Sequence, residues 1–115
     1  MRKPKTIPLR VVLTLDRETV QWVARCVEYD IAASGRTLPD AQRAFVGVFI
    51  AQLIADVTAG RQPLEGVPVA PSEIAHRFEA GQRLGDRGKP LEIPRSMLPP
   101  DYMIDASLQE MRVYD

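Results

Sequence analysis

The sequence predicts an α+β fold: a small antiparallel sheet of three to four strands in β-β-β-α-β order, packed against one long helix and followed by a short C-terminal helix and a Pro-rich arm. Three observations carry this. Residues 9–15 (LRVVLTL) are apolar and rich in β-branched side chains, the composition of a strand. Residues 20–29 split by period two, with Val20, Trp22, Ala24 and Cys26 on one face and Gln21, Val23, Arg25 and Val27 on the other. After a chain reversal at Ser34-Gly35, residues 37–59 hold apolar side chains at helical spacing over a length no ordinary strand reaches.

Each element has a local cause. Pro8 fits the first position of a strand, where its missing N–H is tolerated. Residues 16–19 (DRET) are polar and short, as a hairpin connection should be, and residues 30–34 (DIAAS) predict a third short strand ended by Gly35. Thr37 is placed as the N-cap of the long helix, with Pro39 and Asp40 in its first turn and Gly60 as its stop. Residues 60–71 read as a loop with a further short strand at 66–70. Ser72 is positioned to cap a helix over 73–80 that carries Ile74, Ala75 and Phe78 on one side and ends at Gly81. Beyond Gly85 and Gly88, four prolines (Pro90, Pro94, Pro99, Pro100) rule out a helix, while the interleaved apolar residues exceed what a solvated linker needs. The chain therefore divides into an α+β domain over 1–70, a short helix and linker over 71–88, and an apolar arm over 89–115 that docks on something.

The long helix is apolar on two sides. One stripe holds Ala41, Phe45, Val48 and Phe49, and the other holds Val46, Ile50, Leu53, Ile54 and Val57. Packing on one sheet uses one stripe. The second predicts a cover, either another chain or the arm, and the small residues Gly47 and Ala51 beside it would let a second helix come close.

Composition narrows the function classes. With 15 Lys+Arg and 15 Asp+Glu in 115 residues, the chain has no net field to draw it to nucleic acid or anionic lipid. Arg2, Lys3 and Lys5 cluster at a terminus, where such runs are usually solvated. The single cysteine, Cys26, excludes an intramolecular disulfide and suits a reducing compartment. The N-terminal residues have no secretory pattern, and the longest apolar run, 44–51, is far below the ~18 residues a membrane span needs. A cytoplasmic, soluble protein is expected.

The run Trp22-Val23-Ala24-Arg25-Cys26-Val27-Glu28-Tyr29-Asp30-Ile31, then Ser34-Gly35-Arg36-Thr37 and Asp40-Ala41, resembles the HicB-type antitoxin family: an aromatic, an A-x-C-x-E segment on the second strand, a small third strand, G-x-T, and a helix opening with an acid and alanine. The resemblance covers roughly residues 7–70. It implies a compact, partial ribonuclease H-like domain and a bacterial toxin–antitoxin role, neutralising a small RNA-cleaving toxin. Such proteins typically add a C-terminal DNA-binding segment. Residues 71–115 here offer neither a three-helix unit nor a basic recognition helix, so operator binding is not expected. In the family the helix meets the sheet through positions matching Ala41, Phe45, Val48 and Phe49 and is mostly charged outside; here the outer positions are Val46, Gly47, Ile50 and Ile54, with Val57 a turn later.

Catalytic constellations are thin. His76 is the only histidine and falls off the apolar side of its helix, as a solvated residue would. Cys26 shares a strand face with Trp22 and Ala24, which predicts a buried, inert thiol. Glu28 and Asp30, spaced i, i+2, are the best pair for a divalent metal, yet both sit at a strand end where acids are ordinarily solvated. Nucleotide-loop and paired C-x-x-C motifs do not occur, and the arginines are scattered among acids.

The expected function is a non-enzymatic protein–protein interaction module of HicB-like type, an antitoxin masking a toxin, with no cofactor or metal. The alternative is a structural or adaptor subunit that self-associates and docks through its arm. The residues expected to bind a partner, with a homodimer or higher oligomer in view, are Val46, Gly47, Ile50, Ile54 and Val57 on the helix and Leu91, Ile93, Met97, Leu98, Tyr102, Met103 and Ile104 in the arm.

Overall fold

Five strands form one mixed sheet, and their order decides where each helix sits. The computed structural model describes residues 5–84, 102–103 and 109–114, with side chains described over 7–84 and 110–114. In chain order the elements are β1 (Lys5–Thr6), β2 (Leu9–Asp16), β3 (Gln21–Cys26), β4 (Ala32–Gly35), α1 (Leu38–Thr58), α2 (Ser72–Ala80), β5 (Gln82–Arg83), β6 (Tyr102–Met103) and β7 (Gln109–Tyr114). The main sheet runs β4-β3-β2-β7-β5, and β1 pairs separately with β6 in parallel. The α+β class and the single long helix are as expected.

Strands β2, β3 and β4 form an antiparallel meander, with Val11 opposite Cys26 and Trp22 opposite Gly35. Period-two alternation does what the sequence implied. Ala24 and Cys26 enter the core beside Leu9, Val11 and Leu13, with Trp22 packed against its edge. The hairpin turn lies one residue later than expected, at 17–20, and takes Val20 out of the strand. Val20 has φ 56 and is 70 % exposed, a conformation costly for a β-branched side chain. Asp16 initiates the turn by accepting the Glu18 N–H at 3.0 Å.

The largest difference from expectation is at the C-terminus. Where an arm was expected, residues 109–114 form β7, which pairs in parallel with β2 from Leu9↔Gln109 to Thr14↔Tyr114. The sheet is therefore five-stranded and mixed rather than three- or four-stranded and antiparallel. Parallel strands need a long crossover, and α1 with the chain after it lies between β4 and β7. Met111 and Val113 alternate into the main core, which explains why this short polar-looking segment holds its place. The strand expected at 66–70 does not form. That loop instead ties to the β3–β4 bend, where Pro68 O accepts the Asp30 N–H at 2.7 Å.

Helix α1 starts as predicted: Thr37 has extended φ/ψ and its hydroxyl accepts the Asp40 N–H at 3.2 Å. Gly60, at φ +72, ends the helical turn. Gly35 lets the helix start directly on β4, since a Cβ there would lie 2.5 Å from Ala41 N and 2.6 Å from the Asp40 carbonyl carbon. The sheet-facing line is Ala41, Phe45, Phe49 and Leu53, all fully buried, with Phe45 and Phe49 stacked at 6.2 Å. Two assignments are corrected here. Leu53, placed on the outer stripe, continues the i, i+4 line of Phe45 and Phe49 into the core; Val48, placed on the inner stripe, sits at its shoulder and is 44 % exposed.

Helix α2 covers the other sheet face, where Ile74 and Phe78 pack on Val12, Val27 and Ala70. Its N-cap position is Pro71 with no side-chain cap, so Ser72 is the first helical residue rather than the cap; Gly81 closes the helix as expected. Two guanidiniums frame the Phe78 ring, Arg112 at 4.4 Å and Arg10 at 5.6 Å, and Arg112 also donates to Phe78 O at 3.1 Å. Strand β7 thereby holds α2 to the sheet.

Candidate functional site

Among the described residues, the outward side of α1 is an apolar surface whose chemistry the fold does not account for. At ~100° per residue, Gly47 points away from the sheet-facing line, with Ala51, Ile54, Ala55 and Thr58 around it. Ile54 is 52 % exposed and Val57 50 %, while Val46 and Ile50 are half-buried on the same side. A Cβ built on Gly47 would meet nothing within 4 Å. Glycine in a helix interior costs roughly 0.5–1 kcal/mol relative to alanine, and no neighbour among the described residues calls for it.

The face is also uncharged. The charged residues of α1 are Asp40, Arg43 and Asp56. Asp40 and Arg43 pair with each other at the N-terminal end, and Asp56 points into the protein. From Ala44 to Thr58 the outward side carries no ionised group. By length and composition alone, Leu38–Thr58 passes for a membrane-crossing helix. One side of it is nonetheless occupied by the sheet, as in a core helix.

Five of the expected partner-binding residues, Val46, Gly47, Ile50, Ile54 and Val57, therefore share one helix side. Val48 and Ala55 belong with them and were missed, although the four-residue spacing of Gly47, Ala51 and Ala55 marks the line. Leu91, Ile93, Met97, Leu98 and Ile104 lie outside the described residues. Tyr102 and Met103 are described in backbone only, paired in parallel with Lys5 and Thr6.

The groups with chemical potential are committed to structure. Burial pushes the Cys26 thiol up to about 11, and its Sγ lies 3.7 Å from Glu28 Oε1. Such a thiol is a core residue, not a nucleophile. Glu28 accepts the Arg10 N–H at 2.8 Å and the Arg10 Nε–H at 2.6 Å, substituting for a strand partner at the start of β2. Asp30 instead pairs with Arg25 at 3.1 Å, so the two acids do not converge. His76 is exposed on α2. Among the described residues, no three His, Cys, Asp or Glu side chains are placed to share a metal ion.

The sequence reading overlooked Asp56, which is only 2 % exposed. Its carboxylate accepts from Leu64 N–H at 2.8 Å, Gln52 Nε2 at 3.1 Å and Arg61 at 3.3 Å. The Leu64 amide, with Gln52 and Arg61, holds this carboxyl below the usual carboxylate range. The network pins the 60–66 loop against the end of α1 and buries Leu64 despite its φ of 69.

Comparison with protein-family models, with curated proteins and with solved structures gave no match to this chain.

Proposed function

We propose that the protein is a non-enzymatic protein–protein interaction module that docks through the outward side of α1. The observation that carries this is the uncharged apolar surface from Val46 to Thr58, turned away from the sheet that α1 already packs on. Fully covering one such side chain is worth about 1.5–3 kcal/mol, so this surface gains most when a partner sits on it. The carboxylates of Glu28, Asp30 and Asp56 and the Cys26 thiol are each engaged in holding the fold.

Within that reading the module acts in the bacterial cytoplasm as a HicB-type antitoxin, masking a small RNA-cleaving toxin. The A-x-C-x-E and G-x-T segments support it, as does the order of three antiparallel strands followed by the long helix. The second reading is a structural or adaptor subunit that self-associates. A neutral surface favours it, because two identical copies meet there without like-charge repulsion.

A growth assay separates the readings. A short reading frame adjoining the gene, expressed alone, arrests growth; co-expression of this chain relieves the arrest, and Ile54→Glu abolishes the relief. Persistent arrest in the presence of the wild-type chain contradicts the antitoxin role and leaves the adaptor.

A further inference from the structure

We infer that the gap between β2 and the α2–β5 corner is a binding site for an extended peptide of the pattern apolar–Arg–apolar, and that residues 109–114 occupy it as an exchangeable intramolecular ligand. The site is separate from the outward side of α1, and neither depends on the other. Its walls are held by contacts in which β7 takes no part. Strand β2 is paired along its other edge with β3, from Val11 to Asp16. On one face of the gap Leu9, Val11 and Leu13 share a core with Phe45 and Phe49. On the other, α2 is seated by Ile74 and Phe78 on Val12, Val27 and Ala70. Gly81 forms the far rim, where a Cβ would lie 3.0 Å from the Val113 carbonyl oxygen and 3.2 Å from Arg112 Cβ. Its own φ of −78 is open to any residue. The passing strand, not the backbone conformation, calls for glycine there.

Three successive side chains of the ligand are read. Met111 and Val113 enter the main core, and Gln42 Nε2 lies 2.9 Å from Met111 Sδ. Between them Arg112 turns to the opposite face. Its guanidinium lies 4.4 Å from the centre of the Phe78 ring and donates to Phe78 O at 3.1 Å, at the C-terminal end of α2 where a cation is favoured. The main chain adds a parallel ladder to β2 from Leu9 to Thr14, which is recognition by strand addition. Exchange is open to β7 because it is the last element of the chain and leaves without unthreading another. Its neighbour β5 is antiparallel to it, a pair that a turn of about 2–5 residues could join. Residues 84–108 stand between them instead, enough chain for β7 to part from β5 and return.

The experiment uses the full chain with a protease recognition sequence inserted after Gly88, cut under native conditions. Residues 1–88 and 89–115 are expected to stay together on size exclusion. A fluorescein-labelled synthetic peptide of residues 89–115 then replaces the resident fragment, read by anisotropy. The same peptide with Arg112→Ala competes about 10-fold more weakly or worse, since it lacks the charged hydrogen bond to Phe78 O. Met111→Asp in the peptide abolishes competition, because it sets a carboxylate into the core. Native-state hydrogen exchange on the uncut wild type needs no insertion: amides of residues 110–114 should open as a unit while those of β3 remain protected.

Fragments that separate on cutting overturn the proposal, and so do fragments that stay together yet do not exchange over a day. Equal competition by the Arg112→Ala peptide overturns the sequence recognition. Residues 110–114 exchanging only together with β3, by global unfolding, would make β7 a fixed part of the sheet and not a ligand.

Discussion

Helices α1 and α2 lie on opposite faces of one sheet and treat solvent differently. Helix α2 follows the ordinary rule: Ile74 and Phe78 face the sheet, while Glu73, His76 and Glu79 face water and Glu73 pairs with Arg77 across one turn. Helix α1 buries Phe45, Phe49 and Leu53 on the sheet and then presents Val48, Ile54 and Val57 to the outside. The same chain can thus write a polar outer face when the fold is the only demand. Folding explains the inward side of α1; on our proposal, association explains the outward one.

Substitutions on the two sides of α1 should therefore differ in kind. The largest effect is expected at Phe45→Ala, which opens a cavity in the centre of the core and lowers stability by about 3–5 kcal/mol in chemical denaturation. Asp56→Ala comes next, at about 2–3 kcal/mol, because it leaves the Leu64 amide and the Arg61 guanidinium without their acceptor.

The same carboxylate sets a pH dependence. Its folded pKa lies below the unfolded value of about 3.9, so its contribution is complete above that value and is lost as pH falls through the folded one. Denaturation midpoints of wild type and Asp56→Asn should converge below about pH 4 and separate above it. Equal separation at all pH values would contradict the ionised, hydrogen-bonded carboxylate.

Gly35→Ala is expected to cost about 1–3 kcal/mol, since a methyl group meets the backbone of Asp40 and Ala41 rather than a side chain that can move. Val20→Gly should act in the opposite direction, raising stability by about 1 kcal/mol through relief of a left-handed β-branched residue. The smallest effect on the isolated fold belongs to the outward side: Ile54→Ser should change monomer stability by less than about 0.5 kcal/mol while weakening self-association. A monomer destabilised by several kcal/mol would place Ile54 in the core and erase the distinction between the two sides.

Much of this was legible in residue order. The Thr37 cap, the Gly60 stop, the buried Cys26 and the apolar outer stripe follow from capping chemistry and periodicity, which are local. Strand β7 was not legible as a strand. Its alternation of Met111 and Val113 with Glu110, Arg112 and Tyr114 spans six residues beyond a Pro-rich segment, and its partner β2 is a hundred residues away in sequence, by order of magnitude. Leu53 and Val48 exchanged stripes because a helix apolar all round gives periodicity little contrast to report. Asp56 escaped notice because acids in a last turn usually face water, and only the fold brings Leu64 and Arg61 to it.

On our proposal the outward side of α1 is covered by association rather than left to solvent. The most direct test is methyl NMR of the full chain with a soluble paramagnetic agent, following Ile50 and Ile54 across a dilution series. Their methyl groups should be shielded from the agent at high protein concentration and become accessible on dilution, while Leu53 stays shielded throughout. Ile54 equally accessible at every concentration would contradict the account.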